Sequence, residues 1–209
     1  MIKERLVTYI EESIRQNWEI EALSNYGEKG YTYKEIAEKI LKFHLFFRDA
    51  GISEGDKIAL VGRNSANWCV VYLATVTYGA VIVPILPDFK ADDLMNLINH
   101  SDSVLLFVDD KIWETIDIKR MPAVRGAISV DNFTMIFSAQ IRLSEDYSGL
   151  DEKFRNTCAE VRKEDIKFSG VTNDKLAVIS YTGGTTGFSK GVMISHNSLA
   201  ANVRFAQNH

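Results

Sequence analysis

The 209-residue sequence predicts an α/β fold in which a mainly parallel sheet is flanked by helices on both faces. Short, nearly continuous apolar segments alternate with segments of helical periodicity, the pattern of parallel strands buried on both sides. Hydrophobic residues make up 46% of the chain, enough to fill a core on each side of such a sheet. We therefore expect a folded domain and not a disordered segment.

The N-terminal part is predicted to contain two helices separated by a short strand. Residues 3–17 carry apolar side chains at helical spacing, and residues 18–26 are predicted to be extended. Thr32 and Glu35 have the spacing of a capping box, which begins a helix that Gly51 can end. This region supplies core packing and no predicted chemistry.

The middle of the chain contains most of the predicted sheet. Apolar runs predict strands at residues 57–61, 81–86, 104–108 and 127–130. Between them, helices are predicted at residues 66–77, 91–99 and 111–117, with Asn64 or Ser65 as the cap of the first. Pro84 lacks a backbone N–H, so we expect it at a strand end or at a sheet edge.

The C-terminal part contains a polar segment followed by a strand and a helix. Residues 145–165 are polar and charged, with a weak helical pattern around residues 150–161, so they are predicted to form a variable surface excursion. A strand is predicted at residues 174–181, an extended segment at 192–194 and a helix at 197–207.

Charge and composition exclude several classes of function. The net charge is −4 and the basic residues are dispersed, so neither a nucleic-acid surface nor an anionic membrane is indicated as a partner. Cys69 and Cys158 follow no metal-ligand spacing, no metal-ligating residues are predicted, and Cys69 is expected to be a buried thiol. We see no secretory signal and no apolar run of membrane-spanning length, so a cytoplasmic protein is expected.

Aromatic and histidine side chains are predicted to be structural. We expect core packing, not a lipid pocket, for Trp68, Trp113, Phe43, Phe46 and Phe47. His44 and His100 lie on predicted helices and are expected to be structural or exposed.

The segment with the clearest chemistry follows the strand at 174–181. It runs Thr182-Gly183-Gly184-Thr185-Thr186-Gly187-Phe188-Ser189-Lys190-Gly191. Glycines allow close backbone approach to a ligand, threonine hydroxyls donate to phosphate oxygens, and a lysine adds a positive point charge. We interpret it as a loop that binds the phosphates of a nucleoside triphosphate, although a Gly/Thr-rich segment alone also suits an ordinary turn.

Two common nucleotide motifs do not fit this loop. A Walker A loop requires a Ser or Thr directly after its lysine, but Gly191 follows Lys190. The glycine spacing also differs from the G-x-G-x-x-G dinucleotide fingerprint. Taken singly, Thr182 could be only the last residue of a strand, and Lys190 only a solvated surface lysine.

The order of residues in the loop closely resembles the phosphate loop of AMP-forming acyl-adenylate enzymes, which include acyl-CoA synthetases, luciferases and peptide-synthetase adenylation domains. This family usually has proline where the chain has Ser189. Residues 31–36, 55–60 and 72–85 are similar to further segments of the family, in the same order. The residues flanking the loop, 180–182 and 191–196, most resemble fatty acyl-CoA synthetases of the long-chain kind.

The resemblance implies a reaction in two halves. ATP and coenzyme A would be the co-substrates and Mg²⁺ the cofactor. A carboxylic acid, expected to be a fatty acid, is activated as an acyl-adenylate and then transferred to a thiol. On this basis Thr182, Thr185 and Thr186 contact the β- and γ-phosphates, and Lys190 neutralises the departing pyrophosphate. The glycines permit the close approach: Gly183, Gly184 and Gly187. No catalytic residue is assigned. For His196 two alternatives are open: a structural role, such as capping the next helix, or a place in the lining of an acyl site.

The resemblance also implies that residues 1–209 are the N-terminal part of the acyl-CoA synthetase-like large domain, without its C-terminal lid domain. We expect small-molecule partners and no nucleic acid, with the oligomeric state open. Two alternatives remain, a non-catalytic phosphate-binding module and an amino-acid-activating adenylation domain.

Overall fold

The computed structural model describes residues 4–158, 160–168, 170–182 and 190–207. Its centre is a seven-stranded sheet with the strand order β7-β6-β5-β3-β4-β8-β9, beside a small two-stranded antiparallel sheet, β1-β2. The strands are β1 Glu21–Leu23, β2 Tyr31–Thr32, β3 Lys57–Val61, β4 Val81–Ile85, β5 Ser103–Val108, β6 Gly126–Ser129, β7 Met135–Ser138, β8 Leu176–Thr182 and β9 Lys190–Ser195.

The α/β prediction is confirmed, because the five inner strands of the large sheet are parallel and only the two edge strands, β7 and β9, are antiparallel to their neighbours. The helices are α1 Leu6–Gln16, α2 Tyr33–Asp49, α3 Ala66–Tyr78, α4 Ala91–His100, α5 Asp110–Trp113, α6 Ile141–Ser148, α7 Leu150–Thr157 and α8 His196–Gln207.

Helices cover both faces of this sheet. Alternate residues of β3 point to opposite sides: Ile58 and Leu60 join one core with α2 and α3, whereas Ala59 and Val61 join a second core with α4. The connection after β3 therefore runs over one face and the connection after β4 over the other. This change of face between β3 and β4 creates a crevice beyond the carboxyl ends of the strands, where α/β sheets usually bind ligands.

Local sequence signals set several helix ends as predicted. The Thr32 hydroxyl accepts from Glu35 N at 3.2 Å, and the Glu35 carboxylate accepts from Thr32 N at 2.7 Å, which completes the capping box. Ser65, not Asn64, caps α3 by accepting from Trp68 N at 3.1 Å. Gly51 follows the end of α2 with φ +66°, a left-handed conformation that glycine adopts without strain.

Two sheet predictions were inaccurate. The strand expected at residues 18–26 is only β1, Glu21–Leu23, because its short partner β2 offers two residues for pairing. The edge strand β7, Met135–Ser138, was not predicted, since its side chains are all partly exposed and lack the apolar run of an inner strand.

Pro84 lies in an interior strand and not at a sheet edge. It is the fourth of five residues in β4, opposite Leu60 of β3. On its other side β4 pairs with β8 at Ile82, two residues before Pro84. Pro84 is thus near the end of its strand and beyond its pairing with β8, so the missing N–H is tolerated there.

The polar segment at 145–165 is largely exposed, as expected, but it is helical over much of its length and packs against the domain. It contains the second half of α6 and all of α7, which pack against α2: the Tyr147 ring lies edge-on to Phe46, with centroids 4.8 Å apart, and its hydroxyl donates to Phe133 O at 2.7 Å. Lys42 and Lys153 also form ion pairs with Asp151 and Asp49 across this contact. Within the described ranges, each helix is too short or too polar to span a membrane.

Candidate functional site

The hairpin formed by β8 and β9 brings the first and last predicted phosphate contacts together. Thr182 and Lys190 are direct partners in the antiparallel register, so their Cα atoms are about 5 Å apart and their side chains share one face. Both residues are exposed. A hydroxyl donor and an ammonium group therefore stand side by side at the carboxyl end of β8.

The rest of the predicted loop falls at positions 183–189, outside the described residues. The assignments to Gly183, Gly184, Thr185, Thr186 and Gly187 therefore stay predictions. What the structure does establish is the place from which this segment starts and to which it returns, at the neck of the β8–β9 hairpin.

A crevice of about 380 Å³ opens beside this neck. Its walls come from the residues after β3, the end of β4 with the turn that follows, and the end of β8: Gly62, Arg63, Asn64, Pro84, Ile85, Leu86, Pro87, Ser180 and Tyr181. Trp68 of α3 closes one side and stacks on Tyr72, with ring centroids 5.5 Å apart. Trp68 was expected to belong to the core, but it is partly exposed because it forms this wall.

A second, charged crevice of about 370 Å³ shares Arg63 and Pro87 with the first and continues along the same edge of the sheet. Asp109, directly after β5, accepts from Arg63 N at 3.0 Å, and burial raises the pKa of its carboxyl group. A Cβ on Gly62 would lie only 2.3 Å from Asp109 Oδ1, so a glycine is needed for this close approach. This hydrogen bond between Arg63 and Asp109 fixes the position of residue 63, which lines both crevices.

His196 begins α8 and is 1% exposed. Its ring does not cap the helix, because the Ser195 hydroxyl accepts from Ser198 N at 3.3 Å and fills that role. Within the described part of the chain neither ring nitrogen of His196 has a hydrogen-bond partner, and burial lowers the pKa of the imidazole. The structure therefore removes the capping role and places His196 in the interior.

The described residues include no group of three or more His, Cys, Asp or Glu side chains arranged to hold a metal ion.

Comparison with known proteins decides the family. The AMP-binding enzyme pattern matches residues 10–209, nearly the whole chain. The chain belongs to the AMP-binding enzyme family.

Individual relatives of this AMP-binding chain are distant. It is 28% identical over 186 residues to the putative acyl-CoA synthetase YngI of Bacillus subtilis, covering 83% of this chain and 34% of that protein. It is 27% identical over 192 residues to the medium-chain fatty-acid–CoA ligase of Escherichia coli, covering 88% and 31%. Such relatives are matched over 25–34% of their own length, so the chain spans about a quarter to a third of them.

The fold is also that of a solved relative. The long-chain-fatty-acid-CoA ligase FadD1 from Archaeoglobus fulgidus superposes with a TM-score of 0.72 at 23% identity, covering 96% of this chain and 38% of that one. This likeness confirms the predicted fold class, the N-terminal part of an acyl-CoA synthetase-like domain.

Sequence reasoning missed both crevices of the AMP-binding chain. Arg63 and Asn64 were not singled out for chemistry, Leu86 was predicted to be the last residue of a strand, and Pro87 was not considered. One signal was available, because these residues lie at or just after the carboxyl end of a predicted inner strand. Their convergence depends on the strand order, which the sequence pattern does not reveal.

Proposed function

We propose that this chain is part of an AMP-forming ligase, which activates a carboxylic acid with ATP and passes the acyl group to coenzyme A. The observation that carries the proposal is the pairing of Thr182 with Lys190 at the two ends of the Gly/Thr-rich segment. This pair lies beside the crevice that Trp68 closes on one side. Membership of the AMP-binding enzyme family and relatives named as acyl-CoA ligases support it.

In the first half-reaction, a carboxylate oxygen of the acid attacks the α-phosphorus of ATP. An O–P bond forms while the bond from the α-phosphorus to the bridging oxygen breaks, and pyrophosphate leaves with that oxygen and its electron pair. Negative charge grows on the leaving group, so fixed donors near it lower the barrier. The Lys190 ammonium group and the Thr182 hydroxyl would supply such donors, together with Thr185 and Thr186.

Mg²⁺ bound to the triphosphate would offset part of its charge. The protein's own contribution at this point is orientation: strand pairing holds the backbone at Thr182 and Lys190, so the backbone at these two positions need not be ordered when the nucleotide arrives. In the second half-reaction the thiolate sulfur of coenzyme A attacks the acyl carbon and forms a C–S bond, the bond from that carbon to the AMP oxygen breaks, and AMP leaves with the electron pair of that bond.

We propose a fatty acid, of the long-chain kind, as the acid. Support comes from the residues flanking the loop and from relatives named as medium-chain and long-chain fatty-acid–CoA ligases. Some relatives are named as ligases for acyl-carrier-protein, so a carrier-protein thiol is the second candidate acceptor. An amino-acid-activating domain and a non-catalytic phosphate-binding module are the remaining alternatives.

The proposal assigns residues 1–209 to the N-terminal part of the adenylate-forming domain. The chain spans about a third of the length of its relatives, so adenine contacts, ribose contacts and a lid would come from elsewhere in a protein of their length. We accordingly expect the 209 residues alone to form no acyl-CoA.

A lysine exchange tests the role of the hairpin in the natural-length protein that carries this sequence. Lys190→Ala should lower kcat/KM for fatty-acid-dependent pyrophosphate release by about 100-fold, because one donor to the developing charge is removed. The matched control is Lys175→Ala. Lys175 is also exposed, but it precedes β8, about 20 Å from Lys190 along the strand.

The control should keep nearly full activity, because its ion pair with Glu54 is on the surface. Equal activity of the Lys190→Ala and Lys175→Ala proteins would contradict the proposed role of Lys190. Release of ADP instead of AMP would contradict the reaction class.

A further inference from the structure

Tyr181 occupies the neck of the hairpin that carries the Gly/Thr-rich segment. It directly precedes Thr182 and is paired across the hairpin with Gly191, which follows Lys190. A Cβ built on Gly191 would lie 3.2 Å from Tyr181 Cε1 and 3.1 Å from Ile179 Cγ2. The Tyr181 ring thus lies over the backbone of β9, and a side chain at position 191 would press against this ring.

The Tyr181 ring is 5% exposed and belongs to the core formed with α4. The apolar side chains of α4 anchor that helix in the same core: Leu94, Leu97 and Ile98. The neck of the hairpin and helix α4 are therefore parts of one packed unit.

A hydrogen bond joins the two parts. His100, the last residue of α4, has its Nδ1 atom 2.7 Å from the Tyr181 hydroxyl, and the two rings meet edge-on with centroids 5.8 Å apart. The residues are 81 positions apart in the chain. The Tyr181 phenol has a raised pKa, first because of burial and then because of the nearby Asp102 carboxylate, so the hydroxyl keeps its proton at neutral pH.

We propose that His100 is a positioning residue for the nucleotide phosphates, acting through Tyr181. The bond from the end of α4 fixes the phenol, the phenol fixes the ring over Gly191, and the ring fixes the separation of the two strands at Thr182 and Lys190. This inference rests on the proposed function, since it assigns His100 to the same phosphate site. His100 itself is exposed and need not touch a substrate.

Under this proposal His100 and Tyr181 act as one unit, because a single hydrogen bond joins them. Tyr181→Phe removes the hydroxyl and keeps the ring on Gly191, whereas His100→Phe keeps an edge-on ring and removes the nitrogen. Each exchange breaks the same bond, so the double variant should be no worse than either single one. His100→Asn is the conservative partner, because its amide places a polar atom near the position of Nδ1.

The test is steady-state kinetics of the natural-length protein with Mg-ATP and fatty acid varied separately. We expect His100→Phe and Tyr181→Phe each to raise the KM for ATP about fivefold, as for loss of one ordinary hydrogen bond, with the KM for the acid unchanged. The double variant should show the same fivefold change, and His100→Asn should recover most of the ATP affinity.

Four outcomes would overturn the inference. An active enzyme whose ATP KM is unaffected by His100→Phe would refute it while leaving the proposed function intact. Additive effects of the two phenylalanine exchanges, or equal effects on both substrates, would show general destabilisation instead of positioning. A wild-type protein that consumes no ATP with any acid would refute the proposed function, and this inference with it.

Discussion

His44 lies between α2 and α3, with its Nε2 atom 3.0 Å from the carbonyl oxygen of Ala74 and 3.0 Å from the Thr77 hydroxyl. Burial lowers the pKa of its imidazole from 6.5 to about 4, partly opposed by the bond to Ala74. The fold therefore favours the neutral ring. Its contribution to the free energy of unfolding is complete above about pH 6.5 and is lost as the pH falls towards 4.

We predict that His44→Gln, which keeps a neutral donor, flattens this dependence. Denaturant unfolding between pH 7.5 and 4.5 should show a steeper loss of stability in the wild type, by at most about 1.4 kcal/mol per pH unit. A smaller slope of the same sign should persist in the variant, because burial also lowers the pKa of His196. Identical slopes in the two proteins would refute this account of His44.

Residue-scale chemistry was predictable where it depends on neighbours in the sequence. The sequence places Thr182 and Lys190 at the two ends of the segment predicted to bind phosphate, and the structure pairs these two residues across the β8–β9 hairpin. The bond from His100 to Tyr181 was not predictable, because it joins residues 81 positions apart. The tight fit at Gly191 likewise arises from the Tyr181 ring on the opposite strand.

The capping box of α2 gives a prediction for a single element. Thr32→Ala removes the acceptor of Glu35 N, so the unfolding free energy should fall by about 1 kcal/mol in a denaturant titration. Thr32→Ser keeps the hydroxyl and should retain most of this stability. Thr157→Ala is the matched control, because Thr157 is exposed in the last turn of α7, and it should be nearly neutral. Equal losses for Thr32→Ala and Thr32→Ser would contradict the capping role.

At the scale of elements, the inner strands were predictable and the edges were not. Strands β3, β4 and β5 are buried on both sides and have continuous apolar runs, which the sequence displays directly. Strand β7 is half-exposed at an edge and lacks such a run. The weak helical pattern at residues 150–161 indicated α7 but not α6, because the packing of these two helices depends on ion pairs and on Tyr147 more than on an apolar face.

For the whole molecule, the alternation of strands and helices predicted the fold class, but the strand order had to come from the structure. That order places β3 next to β4 and β8 beyond β4, so three chain segments far apart in sequence converge on one crevice. The proposed site thus combines a loop that can be predicted from the local sequence with a crevice that arises only from the strand order.

The most direct measurement of the central claim is acid-dependent exchange of labelled pyrophosphate into ATP by the natural-length protein. Reversible formation of an acyl-adenylate predicts exchange that requires both Mg-ATP and a carboxylic acid, is strongest with fatty acids, and falls about 100-fold when Lys190 is replaced by alanine. A folded protein that binds ATP but catalyses no exchange with any acid would contradict the claim and favour a non-catalytic phosphate-binding module.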